Sequence, residues 1–314
     1  MRLKALSHYD KDLKTRYGDC ILLYDFTSLI VYDCGHERHA QEIQTLLQQN
    51  PTIKQVRIII SHNDSDHTNG IIPLITRLSS LRSDVCVYLP LYLKHAKEIH
   101  DLLDDRHTYP KTKEHILEIF NNIADIVEAS GKFGFKVIDS LKGTQVLSCK
   151  IVGPDPDVAI AVVAQAIKDG TVNMDGETVM NAASVQLSCT LENSKKVLLC
   201  GDATPEYLPD LSGYGVVQLP HHGKLDNAEA IFNTITTTKQ SIGLYTFLIS
   251  DNTGDAPNSG GSDNLMNSEL RKGKDIWNTK QGKPVELGDT PTYSSSSAAS
   301  KGYGVLCNGT LAKN

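Results

Sequence analysis

The sequence predicts an α/β fold of layered type, two sheets packed between helices, and three observations carry that prediction. Short β-branched runs alternate with amphipathic stretches along the N-terminal part of the chain. An apolar fraction of 40% over 314 residues suffices for one large layered core, and no linker-like stretch divides the chain. Clusters rich in His and Asp follow directly on apolar runs, where strand ends deliver side chains into loops.

The elements follow in order. Glu37 to Gln49 has the spacing of an amphipathic helix, Val56 to Ile60 is a short β-branched run that reads as a buried strand, Ile71 to Leu81 reads as a helix, and Val85 to Leu89 as a strand. From Leu91 to Ser130 the pattern is helical, with Ile116, Ile119, Phe120, Ile123 and Ile126 as its apolar positions and a break at Pro110. Val158 to Ile167 is an alanine-rich packing helix, too short to span a membrane. Asp255 to Asn264 has the composition of a loop, and Tyr293 to Ser300 that of a flexible connection. The organisation expected is one domain over residues 1–290 with a helical insert at about 91–130, then a serine-rich segment and tail over 291–314.

The chemistry concentrates after the strand that ends at Ile60. His62, Asp64, Asp66 and His67 place four potential metal ligands within six positions. Extended backbone puts His62 and Asp64 on one side, and a turn at Ser65 swings Asp66 and His67 toward a second point, so two ligand pairs suggest two metals. Helix capping alone needs one such residue and not four.

This His-x-Asp-x-Asp-His motif resembles the metal-binding signature of the metallo-β-lactamase superfamily, in the variant where Asp replaces the second histidine. That variant is familiar from the hydrolase domain of the competence protein ComEC and its stand-alone relatives. Further landmarks resemble the family in the right order: Gly18-Asp19 leading into a strand, Leu29 to Gly35 closing in Asp-x-Gly, Asn181-Ala-Ala-Ser184, Val197 to Ala203 ending in Gly-Asp-Ala, and Val216 to Gly223 ending in His-His-Gly. The likeness runs from about residue 1 to 250 and weakens between Leu91 and Ser148. It implies an αββα four-layer sandwich. It implies further that His62 and Asp64 bind one metal, that Asp66 and His67 bind the other, and that Asp202 bridges them. Of the paired histidines, His222 is assigned to metal. His221 is assigned to the substrate, as oxyanion stabiliser or proton donor, and counts with Asp66 as catalytic; the residues leave the reverse assignment open. Asn181 stands where many members carry another histidine, which suggests a substrate contact, although a hydrogen-bonding residue at a strand start reads equally well.

Asp64 in place of His hardens the donor set, so the expected cofactors are two divalent metal ions, zinc or manganese. Such a pair, bridged by hydroxide, favours attack on a phosphodiester, and no P-loop is present. The expected function is therefore a phosphodiesterase or nuclease acting on DNA or RNA. A formal net charge of -6 gives no long-range attraction to a polyanion. A nucleic-acid site would need a local basic groove, for which Lys132, Lys136, Lys142, Lys150, Lys195, Lys196 and Lys224 are candidates. A small cyclic nucleotide or another small ester or amide fits the acidity as well, and a non-catalytic partner protein of the same fold is the alternative from another class. Seven cysteines without a Cys-x-x-Cys pair read as buried free thiols; with no apolar secretion signal or membrane span, they point to a cytoplasmic protein without membrane contact.

Overall fold

The computed structural model describes residues 1–8, 15, 17–82, 84–104, 106–170, 179–238, 240–252 and 261–288. The first sheet contains β1 (Arg2–Ala5), β2 (Ile21–Tyr24), β3 (Ser28–Tyr32), β4 (Gln55–Ile59), β5 (Asp84–Leu89) and β6 (Lys136–Asp139) in that spatial order. The second contains β7 (Gln145–Val146), β8 (Cys149–Gly153), β9 (Gln186–Thr190), β10 (Lys196–Leu199), β11 (Val216–Gln218), β12 (Thr246–Ile249) and β13 (Asp275–Asn278), in reverse order from the β13 edge. A last strand, β14 (Val285–Leu287), returns to the first sheet beside β1. Each sheet is antiparallel on one side and parallel on the other: β3 to β6 run parallel in the first, β10 to β13 in the second.

Side-chain alternation along the strands builds the layers. Ile21, Leu23, Ile30 and Tyr32 face the second sheet, where Leu187, Val197 and Leu199 meet them. Leu22, Leu29, Val31 and Ile58 point the other way, against Ile43 and Leu47 of α1 (Glu37–Gln49) and Leu74 and Leu78 of α3 (Ile71–Ser79). On the far side of the second sheet, Leu198, Val217 and Phe247 pack on Ile231, Phe232 and Ile235 of the helix Leu225–Thr237. Helix, sheet, sheet and helix thus stack into the αββα four-layer sandwich that the sequence resemblance implies.

The expected elements form with small shifts at their ends. Helix α3 stops at Ser79, short of Leu81, because the hydroxyls of Ser79 and Ser80 donate back to the carbonyls of Thr76 and Arg77. In the stretch expected to be helical, α4 (Ala96–Asp101), α5 (Tyr109–Ile119) and α6 (Asn121–Lys132) form, and Pro110 lies in the first turn of α5 rather than at a break. There its missing N–H leaves nothing unpaired. Helix α7 (Pro156–Asp169) extends past the expected ends, opened by Pro156 and closed by Gly170 in the left-handed region. Three histidines of this stretch are held by neighbours: His95 by Asp139 at the end of β6, His100 by Thr112 and His107 by Asp104.

The expectation of seven free thiols fails for two of them. Cys149 and Cys189 lie opposite each other on the antiparallel pair β8 and β9 and form a disulfide. They stand 40 residues apart in the chain, so the pairing is invisible until the strands are in register. Cys20, Cys34, Cys86 and Cys200 are free, and all but Cys86 are buried. Among the described residues no helix is long and apolar enough to cross a membrane. The serine-rich segment and tail over 291–314, Cys307 included, lie outside the described residues, as does 255–260 of the expected loop.

Candidate metal centre

The carboxyl ends of the parallel strands of both sheets converge at one edge of the sandwich, the place where open α/β sheets bind ligands. β3 delivers Asp33, β4 delivers Ser61 and His62, β10 delivers Asp202, and β11 leads through Leu219 and Pro220 to His221 and His222. The His62 to Gly70 loop is tied to the first sheet by backbone bonds. The N–H of Asp19 donates to the carbonyl of Asp66, that of Cys34 to His67, and that of Gly70 to Cys34. Gly18 is required there: its φ is +64°, and a Cβ would stand 1.8 Å from the Asp66 carbonyl oxygen. Gly201 has the same reason on the second sheet, with φ +53° and Ser61 Cβ 2.7 Å from where its own Cβ would lie. Helices α5 and α6 secure the outer side of the loop, with Asn63 Nδ2 donating to the Ile119 carbonyl at 2.9 Å and Asn122 Nδ2 donating to Thr68 Oγ1 at 3.1 Å and to the Asn63 carbonyl.

Three histidines present the same face to the centre. His67 is fully buried, its Nδ1 2.8 Å from Asp33 Oδ2 and its Nε2 3.3 Å from Asp202 Oδ1. His222 has its Nδ1 3.1 Å from Asp19 Oδ1 and its Nε2 3.1 Å from Asp66 Oδ2 and 3.8 Å from Asp202 Oδ2. His62 has its Nδ1 2.9 Å from Ser61 Oγ and its Nε2 3.4 Å from Asp64 Oδ2. In each ring one nitrogen is engaged by a flanking oxygen, which fixes its orientation, and the other is aimed inward. Asp202 sits between His67 and His222 with one oxygen toward each. Asp64 occupies the cap position of the short helix α2 (Ser65–Thr68) yet makes no side-chain capping bond, so capping does not account for it.

Six of the predicted residues are therefore brought together: His62, Asp64, Asp66, His67, Asp202 and His222. Asn181 is buried in the turn Val179–Ala183, where its carbonyl accepts from Ser184 N–H. Ser184 Oγ in turn accepts from the Asp202 N–H at 3.3 Å. His221 and His222 both lie in the left-handed region, at φ 54° and 55°, followed by Gly223 at 78°. Asp33, at φ 61°, shares this conformation. Each such residue costs about 1–2 kcal/mol, held here by the surrounding bonds. The left-handed turn still separates the two rings. His222 points into the centre, while partly buried His221 lies beside it with ring centroids 5.9 Å apart.

Asp19, Asp33 and Ser61 belong to the site and were not singled out from the sequence as ligands or supports. The signal for Asp19 and Asp33 is the Gly-Asp and Asp-x-Gly strand ends, which the sequence offers as fold landmarks; Ser61 carries no such signal. Asp33 accepts from Ser61 N–H and Ser61 Oγ, both at 2.7 Å, as well as from His67. Gln218 braces the other side, its Oε1 accepting from the Cys200 N–H at 2.9 Å. Cys200 itself is buried, with its thiol donating to the Gln218 carbonyl and burial raising its pKa, which does not suit a nucleophile. Of the seven lysines named as anion contacts, Lys224 directly follows the His-His-Gly turn. Lys195 and Lys196 stand at the opposite end of β10, and Lys142 is paired with Asp155.

The electrostatics are those of a centre built for cations. Burial disfavours charge on His67, but Asp202 and Asp33 outweigh it and raise its pKa well above the ordinary value. Burial likewise opposes charge on His222, and Asp19 and Asp202 overcome it. Burial would raise the carboxyl of Asp202, yet His67 and His222 hold it well below the usual range. The Nε2 atoms of His62 and His67, Asp64 Oδ1 and Asp202 Oδ1 are buried and make no hydrogen bond. Unpaired buried polar atoms are costly unless something binds them. One ligand atom from each of Asp19, His67, Asp202 and His222 lies within 4.8 Å of the others, and this mixed nitrogen and oxygen set fits divalent cations.

No family model matches the chain, and no curated protein matches it. Solved structures with a similar chain path include the short form of human tRNase Z, at 12% identity over 79% of this chain and 91% of that one, with a TM-score of 0.42. The metallo-β-lactamase fold protein YhfI from Bacillus subtilis is similar at 12% identity over 80% and 97%, TM-score 0.36. A metallo-β-lactamase with an HARLDQ motif from Cronobacter sakazakii is similar at 15% identity over 62% and 60%, TM-score 0.30. The fold itself stands on the strand order and the layered packing of this chain.

Proposed function

We propose that this chain is a metal-dependent hydrolase of the metallo-β-lactamase superfamily, a relative of the ComEC hydrolase domain that cleaves phosphodiesters. The observation that carries this reading is the convergence of His62, Asp64, Asp66, His67, Asp202 and His222 at the carboxyl ends of both sheets, with the Nε2 atoms of His62, His67 and His222 facing carboxylate oxygens of Asp64, Asp202 and Asp66. His62 and Asp64 would hold one cation, Asp66 and His67 the other, with His222 and the bridging Asp202 completing the set. Zinc or manganese suits these donors. When bound, two such cations supply an activated water at neutral pH and neutralise charge on a phosphoryl group.

The remaining roles fall to the chain. Asp19 and Asp33 keep His222 and His67 oriented and fix which ring nitrogen carries the proton. His221, partly buried beside the centre and lowered in pKa by burial, is neutral at physiological pH and placed to donate its ring N–H to a substrate oxygen; protonating a leaving group would require it first to take up a proton. Asn181 would contact the substrate from the Val179–Ala183 turn. The net charge of -6 and the remote position of Lys195 and Lys196 favour a short or small phosphodiester over a long duplex. Nuclease action on DNA or RNA would then engage a few nucleotides at the centre.

The test is metal analysis of the purified protein together with hydrolysis of bis(p-nitrophenyl) phosphate, a linear DNA and an RNA in added zinc or manganese. About two metals per chain with turnover, both lost in Asp202→Ala, is the expected result. Full turnover in Asp66→Ala or Asp202→Ala would rule the reading out.

A further inference from the structure

Behind the candidate centre lies a second group of metal-ligating side chains, made of residues that the proposed hydrolysis does not use. Cys20 immediately precedes β2, Cys34 follows β3, and His39 lies in the first turn of α1. Both sulfurs and a ring nitrogen of His39 lie within 4.8 Å of one another. All three residues are 0% exposed and sit in the apolar layer between the first sheet and its helices, among Leu6, Leu22 and Ile43.

The decisive feature is His39. Neither of its ring nitrogens makes a hydrogen bond, although the residue is fully buried. A neutral imidazole always carries one N–H donor and one acceptor, and leaving either unpaired in an apolar layer costs about 1–3 kcal/mol. The adjacent His8 ring, with its centroid 5.1 Å away, does not relieve this, because the two rings meet in a tilted contact without a hydrogen bond to either His39 nitrogen. Packing alone would favour an aliphatic residue at position 39. Two thiolates and one imidazole are, by contrast, the donors preferred by zinc-class cations.

We infer that Cys20, Cys34 and His39 form a structural binding site for a zinc-class cation, distinct from the candidate catalytic centre. Binding releases the two thiol protons and supplies the partner that His39 lacks. The site also has a consequence for the centre. Cys20 adjoins Asp19 and Cys34 adjoins Asp33, the carboxylates that orient His222 and His67. A cation holding both cysteines to α1 braces the strand ends that carry those carboxylates.

Cobalt(II) provides the test, since the candidate catalytic centre contains no sulfur donor. The wild-type chain, fully loaded with cobalt(II) under a non-thiol reductant, should show thiolate-to-cobalt charge-transfer absorption in the near ultraviolet. Cys34→Ser and Cys20→Ser should lose that absorption and about one metal per chain, whereas Cys86→Ser keeps both. If the serine variants fold poorly, alkylation of wild type settles the matter: zinc should protect Cys20 and Cys34 from iodoacetamide under partly denaturing conditions, and equal labelling with and without zinc would overturn the site. Absence of the absorption in cobalt-loaded wild type would overturn it too. These readouts are independent of turnover, so a protein that binds metal here and hydrolyses nothing would leave this site standing while refuting the hydrolase reading.

Discussion

Replacing Asp33 with asparagine should reverse the proton arrangement at His67 while preserving shape. The Asp33 carboxylate accepts three buried bonds, from Ser61 N–H and Ser61 Oγ at 2.7 Å and from His67 Nδ1 at 2.8 Å. Asparagine is isosteric and tolerates the left-handed φ of 61° at this position. Its single carbonyl oxygen must face Ser61 N–H, a group that can only donate, so its NH2 turns toward Ser61 Oγ and His67 Nδ1. His67 then accepts at Nδ1 and carries its proton on Nε2, the atom that faces Asp202. Loss of one charge-assisted bond to a buried histidine is worth about 1.5–3 kcal/mol. That corresponds to roughly 10–100-fold weaker metal binding, the range typical for removing the partner of a ligand histidine. Competition titration against a chelator measures the affinity, and circular dichroism checks that the fold persists. Wild-type metal affinity in a folded Asp33→Asn protein would refute the orientation argument.

Other perturbations test neighbouring parts of the site. His222→Ala should lower bound metal, whereas His221→Ala should leave metal content unchanged and lower the turnover rate alone; metal analysis beside kinetics would reveal an exchange of roles. Gly18→Ala should destabilise by about 2 kcal/mol or more in denaturant melts, because a Cβ 1.8 Å from the Asp66 carbonyl oxygen forces the motif loop off β2; a melt within experimental error of wild type would contradict the close approach. The metal-free protein should show a pH-dependent stability of definite sign. His67 and His222 have raised pKa values, so their contribution is fully present below about pH 6.5, the unfolded value, and is lost as pH rises through the folded values. Asp66 and Asp202 are depressed, so theirs is present above about pH 4 and is lost only in stronger acid. Thermal melts in chelator should therefore weaken on the alkaline side, while metal binding strengthens there as the histidines shed protons. A melt that rises steadily through neutral pH would show that the histidine and carboxylate pairs do not form.

What the sequence determined by itself is what local chemistry encodes. The 3.6-residue spacing of Ile71, Leu74, Ile75 and Leu78 and the β-branched run before His62 specify a helix and a strand whatever surrounds them. The density of His and Asp over residues 62–67 marks a cation site in the same local way. The tertiary structure alone decided which groups meet. Asp19 reaches His222 across 203 residues because two sheets close on each other, and Asp33 reaches His67 across 34 because β3 and β4 lie side by side; neither contact carries a periodicity in the chain. Register alone pairs Cys149 with Cys189, and the close approach of β2, β3 and α1 brings Cys20, Cys34 and His39 together. Pro110 and the His221-His222 turn show the same limit from the backbone side. A residue type restricts φ, but whether it starts a helix or is held in a strained left-handed turn depends on the partners that packing supplies.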